Sequence, residues 1–211
     1  MMQNLTVEEF LSKLASAAPA PGGGGGAALV SAISAALNSM VFNLTVGKKA
    51  YENYSDEIKE LIKRSLEESN ELIKFFTLYI DKDAEAFLKL MNSYKLPKEN
   101  EEQKIARKLA IENCTKEAAK IPMIVAENVY KLYPIIWTAC NYGNKNLISD
   151  AGVAAVLVQA SLESCILNVK VNLNYIKDEK LKHDMDKKCM DLSAKGEEWK
   201  SKIMRFIYES I

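Results

Sequence analysis

Pro19-Ala20-Pro21-Gly22-Gly23-Gly24-Gly25-Gly26, followed by a charge-free run from Ala27 to Val46, decides how the rest of the chain is read. Proline and consecutive glycines are costly inside a helix, whereas Ala27-Ala-Leu-Val-Ser-Ala-Ile-Ser-Ala-Ala-Leu37 begins one at once. The order predicted is a rigid approach, a permissive loop and then a helix N-terminus over Ala27–Val46. Such an end carries unpaired N–H groups and roughly half a positive charge. Without Cβ atoms in the way, a ligand carboxylate, carbonyl or phosphate can approach this backbone closely. A plain hinge or tight packing point accounts for the glycines equally well. No Gly-Lys-Ser/Thr closes the run, so it is not a phosphate loop of the nucleotide-binding kind.

Twenty residues without charge also raise a membrane span. Ser31, Ser34, Asn38, Ser39, Asn43 and Thr45 are spread around the cylinder, and no basic or aromatic belt marks its first end. The reading is a core helix, not a membrane span. Downstream, Ser149–Leu173 is a second nearly charge-free helix with Ser149 placed to cap it. Two helices of similar make predict a central pair wrapped by amphipathic ones.

Those wrapping helices are legible by period. Thr6-Val-Glu-Glu9 has capping-box spacing for a first helix to about Ala17. From Ser55 to Tyr94 an apolar stripe recurs through Ile58, Ile62, Leu66, Ser69, Leu72, Phe76, Ile80, Asp83 and Phe87. At 1.5 Å per residue that helix is about 60 Å long. A compact chain of this size is roughly 40–45 Å across, so the helix breaks near Ser69 or rests on a partner chain. The partner reading makes the protein a homo-oligomer. Glu99–Lys120, a fresh start or kink at Pro122, Met123–Ala139 with an interruption at Pro134, and Asp178–Ile211 complete the array. No period-two alternation persists. The fold class predicted is all-α, a multihelical bundle of residues 1–211 in one domain.

The chain has 211 residues with 28 basic and 28 acidic side chains. That balance argues against a dedicated nucleic-acid binder. Four widely spaced cysteines without a Cys-x-x-Cys, and a start lacking a basic segment before an apolar one, point to a cytoplasmic protein with reduced thiols. The lone histidine, His183, sits among charges, so neither a histidine-based metal site nor a Ser-His-Asp triad is expected.

Chemistry centres on Asp83, which falls where the stripe asks for a hydrophobe. A carboxylate there is either ion-paired or raised in pKa toward the range useful for proton transfer. Asp81 and Glu85 lie off the stripe and read as solvated. Asp150 suits the first turn of its helix, a role capping alone explains. Asn168 and Asn172 share a face and fit recognition of a heterocycle or hydrogen bonding between helices. Lys48, Lys49 and Arg107 are cations available to ligand carboxylates.

Six pieces occur in an order that resembles one family. They are Pro19-x-Pro21-Gly-Gly-Gly, Asn43-Leu-Thr-x-Gly47-Lys48-Lys49-x-Tyr51-Glu52, Asp81-x-Asp83-Ala-x-Ala-Phe87, Leu96-Pro97-Lys98, Gly143-Asn144-x-x-x-x-Ser149-Asp150-x-Gly152, and Asn168-Val-x-x-Asn172-Leu173. The chain resembles the cyclodeaminase/methenyltetrahydrofolate cyclohydrolase domain of the formiminotransferase-cyclodeaminase family, from about Leu5 to the last helix. Gly25-Gly26 and Ala50 depart from the pattern. The resemblance implies an all-helical homodimer acting on a one-carbon adduct of tetrahydrofolate, with no metal or further cofactor. It implies cyclodeaminase activity first: N10 attacks the formimino carbon on N5 and ammonia leaves. The alternative is the cyclohydrolase, which adds water to the methenyl bridge and gives the 10-formyl form. A helical scaffold or folate binder without turnover is the third reading. Asp83 is then the expected proton-transfer group and Asp150 a second carboxylate. Gly22, Gly23, Gly24, Asn168 and Asn172 would hold the pterin and one-carbon unit, Asn43 would be a further substrate-binding residue, and Lys48 and Arg107 would be available to the glutamyl carboxylates.

Overall fold

The computed structural model describes residues 1–211 and contains helices without a strand. Eight α-helices follow in order: α1 Val7–Leu14, α2 Gly23–Asn43, α3 Lys49–Glu52, α4 Asp56–Ser93, α5 Glu101–Tyr130, α6 Leu132–Tyr142, α7 Ile148–Leu173 and α8 Glu179–Ser210. The starts of α1, α4, α5 and α8 obey capping chemistry. Thr6 and Glu9 form a reciprocal capping box, and Ser55, Asn100 and Asp178 each accept a first-turn N–H.

The central pair is α2 and α7, antiparallel neighbours. Ser31 Oγ lies 2.5 Å from Ser161 Oγ, and Ser34 Oγ donates to the Ala154 carbonyl at 2.8 Å. Small residues at these levels let the two backbones close up, and each hydroxyl is satisfied where burial would otherwise cost about 1–3 kcal/mol. Asn38 is fully buried and donates to Ser69 Oγ on α4 at 3.1 Å. Two helices, Gly23–Asn43 and the stretch Lys145–Leu173, are long and apolar enough to cross a membrane. Here their inner faces form the bundle core, with α4, α5, α6 and α8 around them.

Four expectations change. The second helix begins at Gly23, four residues before Ala27, so the glycines form its first turn instead of a loop. The long helix does not break near Ser69: α4 is continuous and buries residues from Ile62 to Ser93 within its own chain. Pro122 does not interrupt α5. Its missing N–H frees the Ala118 carbonyl, and the Asn172 side chain donates to that oxygen at 3.2 Å. The break comes instead at Lys131, so that Pro134 falls in the first turn of α6, where a missing N–H costs nothing. Finally, Ser149 does not cap α7, which starts one residue earlier with Leu147 at the cap position and no side-chain bond.

Candidate functional site

The N-terminus of α2 closes one end of the bundle. Pro19 and Ala20 lead into it, with a cis peptide between Ala20 and Pro21. Against that first turn stands Asp83 of α4. A Cβ on Gly24 would lie 2.0 Å from Asp83 Oδ1 and 2.7 Å from Oδ2. Glycine at 24 is therefore the condition for the carboxylate being there. The glycine corner thus seats a carboxyl of the chain's own, while Gly22, Gly23 and Gly24 also line the pocket beside it. Burial pushes the Asp83 carboxyl above the usual aspartate range, and the Gly25 backbone N–H offsets part of that rise. No lysine or arginine pairs with Asp83, so the buried ion pair is not what holds it.

In front of Asp83 lies a cavity of about 200 Å³. Gly22, Gly23 and Gly24 form one wall, and Ala84, Ala86, Phe87 and Leu90 of α4 a second. Ala118 and Pro122 of α5 and Asn168, Val171 and Asn172 of α7 complete it. The Asn168 side-chain amide stands 3.4 Å from where a Cβ on Gly23 would be. Asn172 commits both N–H groups to the protein, donating to Asn168 O at 2.8 Å and to Ala118 O, and Asn168 commits one, donating to Ser164 O at 2.8 Å. Their side-chain carbonyl oxygens are left to accept from a ligand. The outcome is a mostly apolar recess with one carboxyl and two amide oxygens, which suits a flat heterocycle with N–H donors.

Gly22, Gly23, Gly24, Asp83, Asn168 and Asn172 thus share one pocket. The other expected site residues do not. Asn43 ends α2, about 30 Å along the helix from Gly23. Its side chain donates to Ser39 O at 3.0 Å. Exposed Lys48 precedes α3 at that same far end. Asp150 is in the first turn of α7, about 27 Å from Asn168. Arg107 lies on the side of α5, donating from Nη2 to the Tyr94 carbonyl at 3.1 Å, outside the cavity lining.

Asp81, read as solvated, is a further correction. It is buried and accepts the Met2 N–H at 2.5 Å, with the Gln3 N–H at 3.5 Å, tying the first residues to α4 two positions before Asp83. Phe87, Pro122 and Val171 were not foreseen as pocket residues. Phe87 is 39 % exposed at a stripe position, which is the signal of an aromatic kept at a pocket mouth. His183 is exposed, as its charged neighbours suggest.

Comparison with known proteins agrees with this geometry. Residues 6–191 match the family model described as formiminotransferase-cyclodeaminase. A methenyltetrahydrofolate cyclohydrolase of Methylorubrum extorquens is 39 % identical over 196 residues, covering 93 % of this chain and 92 % of that one. The formimidoyltransferase-cyclodeaminase of Rattus norvegicus is 31 % identical over 177 residues, 84 % of this chain but only 32 % of that longer protein. The crystal structure of a formiminotetrahydrofolate cyclodeaminase from Thermotoga maritima superposes with a TM-score of 0.87 at 30 % identity, covering 99 % and 98 % of the two chains. The chain belongs to the formiminotransferase-cyclodeaminase family, as a folate one-carbon enzyme of its cyclodeaminase/cyclohydrolase branch.

Proposed function

We propose that the chain is a methenyltetrahydrofolate cyclohydrolase. The observation that carries this is the 39 % identity to a cyclohydrolase along nearly the whole of both chains. The site's chemistry supports it. The methenyl bridge between N5 and N10 is a delocalised cation, and an unpaired carboxylate in an apolar recess complements it. The pterin lies between the Gly22–Gly24 turn and the Phe87, Pro122 and Val171 surface, with its N–H groups on the Asn168 and Asn172 carbonyl oxygens. Water adds its oxygen to the methenyl carbon while Asp83 takes one of its protons. The C–N5 bond then breaks as N5 receives a proton, leaving the formyl group on N10. One proton is released overall, and no redox change occurs. The bound cation also favours the ionised carboxyl that the empty, buried site disfavours, so substrate prepares its own base.

The cyclodeaminase, expected first from sequence, stands second. The full-length likeness to the Thermotoga maritima cyclodeaminase favours it. The same carboxyl would pass a proton from N10 to the departing ammonia, and the product is the same methenyl species. Absorbance of the methenyl form separates the two. With 5,10-methenyl-tetrahydrofolate, decay accelerated by the protein to 10-formyl-tetrahydrofolate is expected. Methenyl absorbance growing from 5-formimino-tetrahydrofolate, with no accelerated decay, would overturn the first reading in favour of the second.

A further inference from the structure

A side-chain amide can offer a ligand either of two chemistries, because a half-turn about its last bond exchanges an oxygen that accepts for a nitrogen that donates. Asn172 lacks that freedom. One of its N–H groups is held by the Asn168 carbonyl at 2.8 Å, a turn back on α7, and the other by the Ala118 carbonyl of α5 at 3.2 Å. Both partners are carbonyl oxygens and can only accept, so the atom facing them is the nitrogen. Oδ1 is turned away from both. It has no partner in the chain and is not sealed in the interior, and Asn172 lines the cavity in front of Asp83.

The bond to Ala118 depends on residue 122. In an unbroken α-helix the N–H at position 122 takes the carbonyl of residue 118. Proline has no N–H, and its ring pushes against that same carbonyl. Yet α5 runs from Glu101 to Tyr130 with Pro122 buried inside it. Proline is the costliest residue to place in a helix interior, and burial of an apolar side chain does not require it. What it supplies is a free acceptor turned to α7 at the level of the pocket, which Ala118, Pro122 and Asn172 all line.

We infer that Pro122 is a positioning residue for the substrate: by freeing the Ala118 carbonyl it locks the Asn172 amide with its oxygen toward the pocket, and so selects the ligand edge that donates. The inference rests on the folate reading for the identity of that ligand. A tetrahydropterin carries its 2-amino and ring N–H groups on one side and its O4 carbonyl on another. Turned over in the pocket, it would set O4 against Oδ1, leaving two acceptors face to face and unpaired. The fixed amide thus fixes which way the ring lies when the one-carbon unit reaches Asp83. Asn168 has one N–H committed, to Ser164 O, and is held less firmly.

Pro122→Val tests it, because valine keeps apolar bulk in the pocket wall and restores the N–H. With 5,10-methenyl-tetrahydrofolate, KM is expected to rise about 3–10-fold, the worth of one preorganised hydrogen bond, with kcat within about 3-fold of wild type. The helix loses its costliest residue, so the variant melts no lower than wild type. A poorer ring surface would raise KM as well, and Asn172→Ala separates the two causes. In that background, which has no amide to lock, Pro122→Val is expected to change KM by less than about 2-fold. Pro122→Ala, which restores the N–H with no bulk to fit, is expected to show the same dependence on Asn172. An equal rise in both backgrounds, or none in either, would overturn the inference. The lock also has a signature that needs no folate. The Asn172 side-chain amide protons, assigned in NMR spectra by their loss in Asn172→Ala, are expected to exchange with solvent at least about 10-fold faster in Pro122→Val. Unchanged exchange would overturn the lock. Wild-type protein that turns over neither 5,10-methenyl- nor 5-formimino-tetrahydrofolate, while that difference in exchange persists, would count against the folate reading instead.

Discussion

Asp83 is held at a cost to the fold. Its carboxyl is raised in pKa by burial, so between the unfolded and folded values the folded chain binds more protons than the unfolded one. Stability therefore falls as pH rises through that window, and the penalty is complete above the folded value. Asp83→Asn removes it. We expect the variant to melt about 2–4 °C higher at neutral pH, the response of a chain this size to ~1 kcal/mol, with the gain disappearing in acid; calorimetry across pH checks this, and a lower melting point at pH 7 would contradict it. The same ionisation sets an acid limb in kcat/KM, with its midpoint above the ordinary aspartate value of about 3.9. A limb centred at or below that value would assign it to another group. Gly24→Ala is the complementary change. Its methyl would overlap Asp83 Oδ1 at 2.0 Å, so the carboxylate must swing out of the turn. Turnover is expected to drop by about 10²-fold or more while the helix content stays. Asp83 was legible because a charge interrupts an apolar period. Asp81 was not, because its partners, the Met2 and Gln3 amides, lie almost eighty residues away.

At the scale of elements, caps and periods located α1, α4 and α8 within a few residues, because their signals are local. The fresh start read at Pro122 does not occur, for a physical reason. A proline breaks a helix when the carbonyl four residues back is orphaned, and at Pro122 a side chain from α7 repairs it. No local rule anticipates a repair from another helix. The glycine run misled similarly: glycine disfavours a helix on average, but here the first turn must make room for a carboxylate, and only glycine does. Asn172 therefore has a structural duty beside its place in the pocket. Asn172→Leu removes the side-chain donor from the half-buried Ala118 carbonyl, with an expected loss of about 0.5–1.5 kcal/mol in denaturant unfolding. Adding Pro122→Ala restores an N–H to that carbonyl and is expected to recover part of the loss. Independent, additive effects of the two changes would contradict the pairing.

For the whole molecule, the all-helical architecture followed from two charge-free stretches and the absence of alternation. The site followed only in part. Residues quoted from one motif order fall at two ends of the bundle, some 30 Å apart. What the pocket end does contain is a carboxylate seated in a glycine turn beside an apolar recess, and the chemistry rests on it. The direct measurement is turnover of 5,10-methenyl-tetrahydrofolate by Asp83→Asn, with substrate affinity measured in parallel. The account predicts kcat lowered by about 10²–10⁴-fold in a folded protein that still binds the folate. A kcat within a few-fold of wild type would contradict it.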